Sequence, residues 1–161
     1  MELLLTDKQA DYLIHTFKTT LKYHNIQLED GQRGAIPLKS FKEKHDFTLI
    51  YFYSKSKKVI HFMDDETKHT LLRININRGF HKNADGTKVY GNRINIFSEE
   101  EAYAKQLQGD THTHYKCFPL PYKNIKNTED FFDLFTNLCS YANIEKQGKI
   151  DITLAQQESL F

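Results

Sequence analysis

The chain has 161 residues, 39% of them apolar and 27% charged, with a formal net charge of +1, the size and balance of one soluble globular domain. No stretch nears the roughly 18 uninterrupted apolar residues of a membrane span, and 12 Phe with 9 Tyr supply more core-forming side chains than a disordered chain carries. Cys117 and Cys139 are too few for a disulfide framework or a four-thiolate zinc site, and the short Leu3, Leu4, Leu5 run lacks the cationic flank of a secretory signal, so the expected compartment is the cytoplasm.

In chain order, Thr6 and Gln9 form a capping-box pattern, and Ala10, Leu13, Ile14, Phe17 and Leu21 recur at helical spacing, predicting a helix that runs to about Tyr23. Residues 25–34 are polar with two glycines and read as a connection. Pro37 confines residues 35–41 to a sheet edge or a strand start, since it has no N–H for a ladder. Residues 47–53 and 59–63 are rich in β-branched and aromatic side chains and read as a hairpin turning through residues 54–58.

Residues 72–77 (Leu-Arg-Ile-Asn-Ile-Asn) and 92–97 (Asn-Arg-Ile-Asn-Ile-Phe) alternate. Leu72, Ile74, Ile76, Ile94 and Ile96 are therefore expected to face a core, with Arg73, Asn75 and Asn77 facing outward. A polar loop with an Asp85-Gly86 turn joins the two runs. Residues 99–108 fit either a short helix or a hairpin excursion. Residues 112–118 read as a strand halted by Pro119 and Pro121. A second helix is expected from an N-cap at Thr128, burying Phe131, Phe132, Phe135, Leu138, Cys139 and Ala142 and ending at Asn143. Ile150, Ile152 and Leu154 alternate again, as a last strand or an extended tail. The expected architecture is α+β: one antiparallel sheet of five to six strands covered by an N-terminal and a C-terminal helix. Residues 1–148 form the domain and 149–161 an extended C-terminal segment.

Charge is unevenly spread. Residues 39–82 carry ten basic side chains against five acidic ones, whereas residues 127–161 carry six acidic against two lysines. Such asymmetry steers anionic partners without specifying them. If the two alternating strands pair, Arg73, Asn75, Arg93 and Asn95 share one sheet face. With Arg78, Lys82 and His81 they make a positive, hydrogen-bonding surface suited to phosphate or an acidic partner. The alternative chemistry is a toxin-like ribonuclease, with His81 as general base and Arg73 or Arg93 stabilising a pentavalent phosphate.

His112 and His114, two apart on a strand, are candidate metal ligands with His81 or Asp110 as a third; no cofactor is expected. Phe47, Tyr51, Phe52 and Tyr53 offer either base-stacking rings among lysines or a core face. Alternation favours the core for Phe47, Leu49, Tyr51 and Tyr53 and sets Phe52 on the opposite face. Cys117 and Cys139 have no neighbour in sequence that would activate a thiol.

Two segments carry resemblances. Arg73-Ile74-Asn75, the run from Arg78 through His81-Lys82-Asn83-Ala84-Asp85-Gly86, Asn92 to Phe97, and Phe118-Pro119-Leu120-Pro121 together resemble an uncharacterised family of small bacterial and phage domains over residues 71–143. The family pattern has Asp where Asn75 stands and Pro where Ala84 stands. Its strand carries two histidines, where this chain has Asn92 or Arg93, and Asn95. The resemblance implies a phage or mobile-element setting, in which small proteins inhibit host machinery such as defence nucleases.

The C-terminal Gln157-Glu158-Ser159-Leu160-Phe161 resembles the peptide by which replication and repair proteins dock on the DNA sliding clamp. That resemblance implies Leu160 and Phe161 as apolar anchors, with Gln157 and Ser159 as polar contacts. The expected function is a non-catalytic interaction protein with a host macromolecule, protein or nucleic acid, as partner and no membrane association.

Overall fold

In the computed structural model, which describes residues 2–155, helix α1 (Asp7–His15) starts at the expected capping box. The Thr6 hydroxyl accepts from the Gln9 N–H at 3.1 Å, and the Gln9 side chain accepts from the Thr6 N–H at 2.9 Å. The helix ends well short of Tyr23. Thr16 is extended at φ −66° and ψ 146°, and the next residues make strand-like bridges, Lys18 to Ile144 and Thr19 to Lys39. β-Branched Thr16, Thr19 and Thr20 propagate a helix poorly. Phe17 and Leu21, expected on the buried stripe, are consequently 51% and 73% exposed. The stretch expected as a plain connection contains strand β1 (His24–Leu28), which buries Ile26 and Leu28.

Six strands form the main sheet: β2 (Gln32–Ser40), β3 (His45–Tyr53), β4 (Lys58–Asp64), β5 (Thr70–Ile76), β8 (Arg93–Phe97) and β9 (Tyr115–Pro119), in that order and antiparallel throughout. Pro37 lies on the edge strand β2, where a missing N–H costs no ladder bond. Between β5 and β8 the chain leaves the sheet as a hairpin, β6 (Phe80–Lys82) with β7 (Lys88–Tyr90), its turn closed through Gly86 at φ 91°. Residues after β8 resolve as helix α2 (Glu99–Leu107), capped by the Ser98 hydroxyl. The expected strand at residues 112–118 begins only at Tyr115.

Helix α3 (Phe131–Tyr141) starts two residues later than expected. Its N-cap is Asp130, which accepts from the Phe132 N–H, while the Thr128 hydroxyl accepts from the Asp130 N–H at 3.1 Å. Asn143 follows the helix at φ 55°, the left-handed terminator its sequence position predicts. Strand β10 (Ile150–Leu154) pairs in parallel with β1.

Ile36, Leu49, Phe47, Phe62, Ile74 and Ile94 point to the core face of the sheet, and none of them is exposed. They pack against Ala10, Leu13 and Ile14 of α1 and Leu134, Phe135 and Leu138 of α3. The fold is thus α+β, a six-stranded antiparallel sheet with helices over its core face. Among the described residues no helix is long and apolar enough to cross a membrane.

Candidate functional site

Alternation that sends isoleucines and phenylalanines into the core sends a different set to the outer face. Two cross-strand rows run over that face: Arg33, Phe52, Val59, Asn75, Arg93 and Pro119 in one, and Ala35, Ile50, His61, Arg73, Asn95 and Cys117 in the next. Neither row contains a carboxylate. This is the face expected from the sequence to gather Arg73, Asn75, Arg93 and Asn95, and the registers Arg73↔Asn95 and Asn75↔Arg93 bring the four together.

The face is not uniformly open. Asn75, Arg93 and Asn95 were expected on an outward, solvated surface, yet they are 5%, 9% and 3% exposed. The segment between β5 and β8 folds back over them. Arg93 Nη1 donates to Asn77 Oδ1 and to the Gly91 carbonyl, both at 2.8 Å. The Asn83 side chain clamps β9 by donating to the Cys117 carbonyl at 3.0 Å and accepting from the Cys117 N–H at 2.9 Å. The Glu101 carboxylate, the Lys105 ammonium and the Gln108 amide hold Ala84 N–H, Lys82 C=O and Ala84 C=O in turn.

Within this covered half, Arg93 Nε, Asn95 Oδ1 and His81 Nε2 are enclosed and have no hydrogen-bond partner among the described residues. The His81 ring packs on Tyr115 at 5.6 Å between centroids. Burial first, then the charges of Lys105 and Arg93, hold its pKa below the ordinary imidazole value.

The other candidates separate. Arg78 is exposed at the rim of a different hollow, beside Lys55, Asn92 and Glu129, and Lys82 is exposed on β6. His112 and His114 do not share a strand face, because both precede β9. His114 Nε2 accepts from the Thr70 N–H and its Nδ1 donates to the His112 carbonyl, so no lone pair remains for a metal. Burial pulls its pKa down to about 4. Among the described residues no group of His, Cys, Asp and Glu is placed to hold a metal ion. Burial pushes the Cys117 thiol up to about 11 and Cys139 up to about 12, far from the thiolate that reactivity needs. Gln157, Ser159, Leu160 and Phe161 lie outside the described residues.

The open half, over β2 to β5, joins Arg73 and Phe52, both raised by the sequence, to Arg33, Lys57 and His61, which the sequence did not single out as a site. A depression of about 180 Å³ has Arg33, Ile50, Phe52, Lys57, His61 and Arg73 in its walls. Arg33 Cζ and Lys57 Nζ stand 5.6 and 5.9 Å from the centroid of the Phe52 ring. His61 bonds Thr70 Oγ1 through Nε2 at 2.6 Å, and burial, with Arg73 and His114 alongside, pulls its pKa down to about 4. It is a neutral floor rather than a fourth cation at neutral pH. Arg33 was legible as a member of this face by extending the β2 alternation two residues back from Ala35. Lys57 had no such signal, because a turn residue has no strand parity.

The chain belongs to a family of unknown function (DUF6978), matched over residues 5–144. That span takes in α1, the whole six-stranded sheet and α3, and stops before β10 and the clamp-like peptide. No curated protein and no solved structure matches the chain.

Proposed function

We propose that the protein is a non-catalytic interaction module that takes a polyanionic macromolecule on the open half of its outer sheet face. One observation carries this reading. Arg33, Lys57 and Arg73 gather around one depression on a face whose central rows contain no carboxylate, and none of the three makes an ion pair among the described residues. Like charges held together raise the energy of the free protein, and an anion bound between them offsets that cost. A non-catalytic role is favoured over the ribonuclease alternative because His81 Nε2 is enclosed and the Arg93 guanidinium is engaged by Asn77 and Gly91.

The C-terminal Gln157, Ser159, Leu160 and Phe161 are proposed to add a second contact, docking on the DNA sliding clamp. They would place the module in replication or repair, in the phage or mobile-element setting that the resemblance implies.

The test is binding of inorganic polyphosphate and oligonucleotides at increasing salt, using the protein and its Arg33→Ala, Arg73→Ala double variant. Affinity that falls steeply with salt and is lost in the variant is expected. Absence of binding, or binding indifferent to the double variant, overturns the reading. Incubation with RNA tests the alternative in the same samples: cleavage abolished by His81→Ala would replace a binding module with a nuclease. Clamp docking is tested by deleting residues 157–161, which is expected to abolish micromolar binding to a purified bacterial clamp.

A further inference from the structure

Resting on that reading, we propose that the depression between Arg33, Phe52, Lys57 and Arg73 seats one unit of a single-stranded nucleic acid, its base against the Phe52 ring and its backbone phosphates on the three cations. The ring is what selects this partner. Phosphate alone needs only cations, and a duplex keeps its bases stacked inside, whereas each unpaired base of a single strand brings a π-face that an aromatic side chain among cations can stack on. Here the aromatic side chain sits between the cations. Phe52 is paired directly with Arg33 across β2 and β3, and both Arg33 and Lys57 lie within 6 Å of its ring.

Position and size agree with a base. Phe52 lies on an inner strand of the sheet, its neighbours across the strands being Arg33 on one side and Val59 on the other, so the ring is held on a rigid platform rather than on a loop. A hollow of about 180 Å³ is too small for a drug-sized ligand, whose pockets begin near ~300 Å³, and it suits a single planar ring with its backbone left outside. In the free protein the two cations lie against the Phe52 ring. Lys57 is exposed and stands on the flexible stem of a turn lysine, so it can yield the ring to a base and move its ammonium onto a phosphate. An exposed cation–π contact is the weaker of the two interactions exchanged.

Arg73 completes the site from β5. Its Nε makes one long hydrogen bond, 3.3 Å to Asn75 Oδ1, and its two terminal nitrogens have no protein partner among the described residues. They remain available as a two-pronged donor to phosphate. From β2 to β5 is three strand spacings, about 14 Å, more than one nucleotide step, so Arg33 and Arg73 would hold phosphates on either side of the seated unit rather than adjacent ones. His61 lies between them on the floor, neutral, with its Nε2 already bonded to Thr70. It adds a polar contact without adding charge.

The experiment measures anisotropy of fluorescein-labelled twelve-nucleotide oligothymidine and oligouridine, with inorganic polyphosphate as a base-free control. Protein, Phe52→Leu and Arg33→Ala are compared, and thermal melts confirm that each variant folds. Phe52→Leu keeps an apolar side chain in place and removes only the stack. It is expected to weaken at least one oligonucleotide by about fivefold or more and to leave polyphosphate affinity unchanged. Three phosphate contacts to a single strand predict a slope of log affinity against log salt of about −2, reduced by about 0.7 in Arg33→Ala. Oligonucleotide and polyphosphate binding that are both unchanged in Phe52→Leu would overturn the stacking site while leaving the polyanion-binding reading standing. Failure of every anion to bind would remove both.

Discussion

The ammonium of Lys18 lies 2.8 Å from the carbonyl oxygen of Ala142, 124 residues further along the chain. The same nitrogen reaches the carbonyls of Ile14 and Thr16 at 2.7 and 2.6 Å and stands 5.1 Å from the centroids of Phe47 and Phe62, and Lys18 has no exposed surface. One side chain thereby satisfies carbonyls at the C-terminal ends of α1 and α3, the ends where the helix dipole favours a cation. It does so beneath Phe47 and Phe62, two rings of the sheet with no exposed surface.

Lys18→Met should therefore cost more than its lost charge. Three carbonyls, two of them buried, lose this donor, and the expected destabilisation is about 2–4 kcal/mol, read as a shift in the urea midpoint at constant slope. The pH dependence has a definite sign. Burial pulls the Lys18 pKa from 10.5 down to about 7. Between those values the unfolded chain binds more protons than the folded one, so this group makes stability rise with pH from about 7 toward 10. The difference in unfolding free energy between the protein and Lys18→Met should grow across that window. A difference that stays flat would mean that the three carbonyls keep the ammonium charged throughout.

Asn83 gives a second prediction, and it bears on what the loop signature is for. Its side chain makes the two hydrogen bonds to Cys117 that a further strand would have made, so it closes part of the edge of β9. Asn83→Ala should destabilise the protein by about 1–3 kcal/mol and speed hydrogen exchange at the Cys117 amide. Asn83→Asp should exchange slowly at that amide, because the carboxylate still accepts, yet still lose stability because nothing donates to the Cys117 carbonyl. Equal exchange rates in all three proteins would show that the clamp is not what protects this edge.

Much of the sheet was legible because period-two patterns are strong where one face meets a core. Residues 72–77 and 92–97 gave the correct faces and brought Arg73 and Asn95 together. What that pattern does not report is whether the second face stays wet. Asn75 and Asn95 read as solvated because Asn usually is, and only the return of the hairpin makes them buried. Helix α1 was read too long because Phe17 and Leu21 fall at helical spacing by coincidence. The local decision was made by Thr16 and by the carbonyls that Lys18 takes, a contact that depends on α3. Strand β1 was missed because its partner, β10, lies more than a hundred residues away and three of its five residues are His, Asn and Gln. In the open half Arg73 and Phe52 were legible, but their meeting with Arg33, His61 and Lys57 was not, because it joins four strands and a turn.

Asp64 predicts the acid limb of the stability profile. It is fully buried, and burial works to raise its pKa. The Thr67 hydroxyl, the His45 ring and the Glu66 N–H outweigh that burial and leave it below the ordinary 3.8. With the folded pKa below the unfolded one, its contribution is complete above about pH 4 and disappears as pH falls through the folded value. Asp64→Asn should lose about 2–4 kcal/mol at neutral pH, since His45 then faces an amide instead of a carboxylate. It should also show a flatter decline below pH 4 in acid-unfolding curves. A variant that tracks the parent over the whole acid range would locate the sensitive carboxylate elsewhere.

Arg73 and Arg93, interchangeable in the sequence, should separate cleanly by experiment. Arg93 is 9% exposed and pins Asn77 and Gly91 at 2.8 Å, so Arg93→Met breaks two hydrogen bonds made by a charged donor and is expected to cost about 1–3 kcal/mol. It should change anion affinity little once the folded fraction is accounted for. Arg73 spends only one long bond on the fold, so Arg73→Met should stay within about 0.5 kcal/mol of the parent while weakening polyanion binding and flattening its salt dependence. Measuring melting and polyphosphate affinity on both variants tests the division of the outer face into a covered half that holds the hairpin and an open half that meets the partner. If Arg93→Met were the variant that lost affinity at full stability, the binding surface would have to lie under the hairpin, and the β6–β7 segment would have to open to admit the ligand.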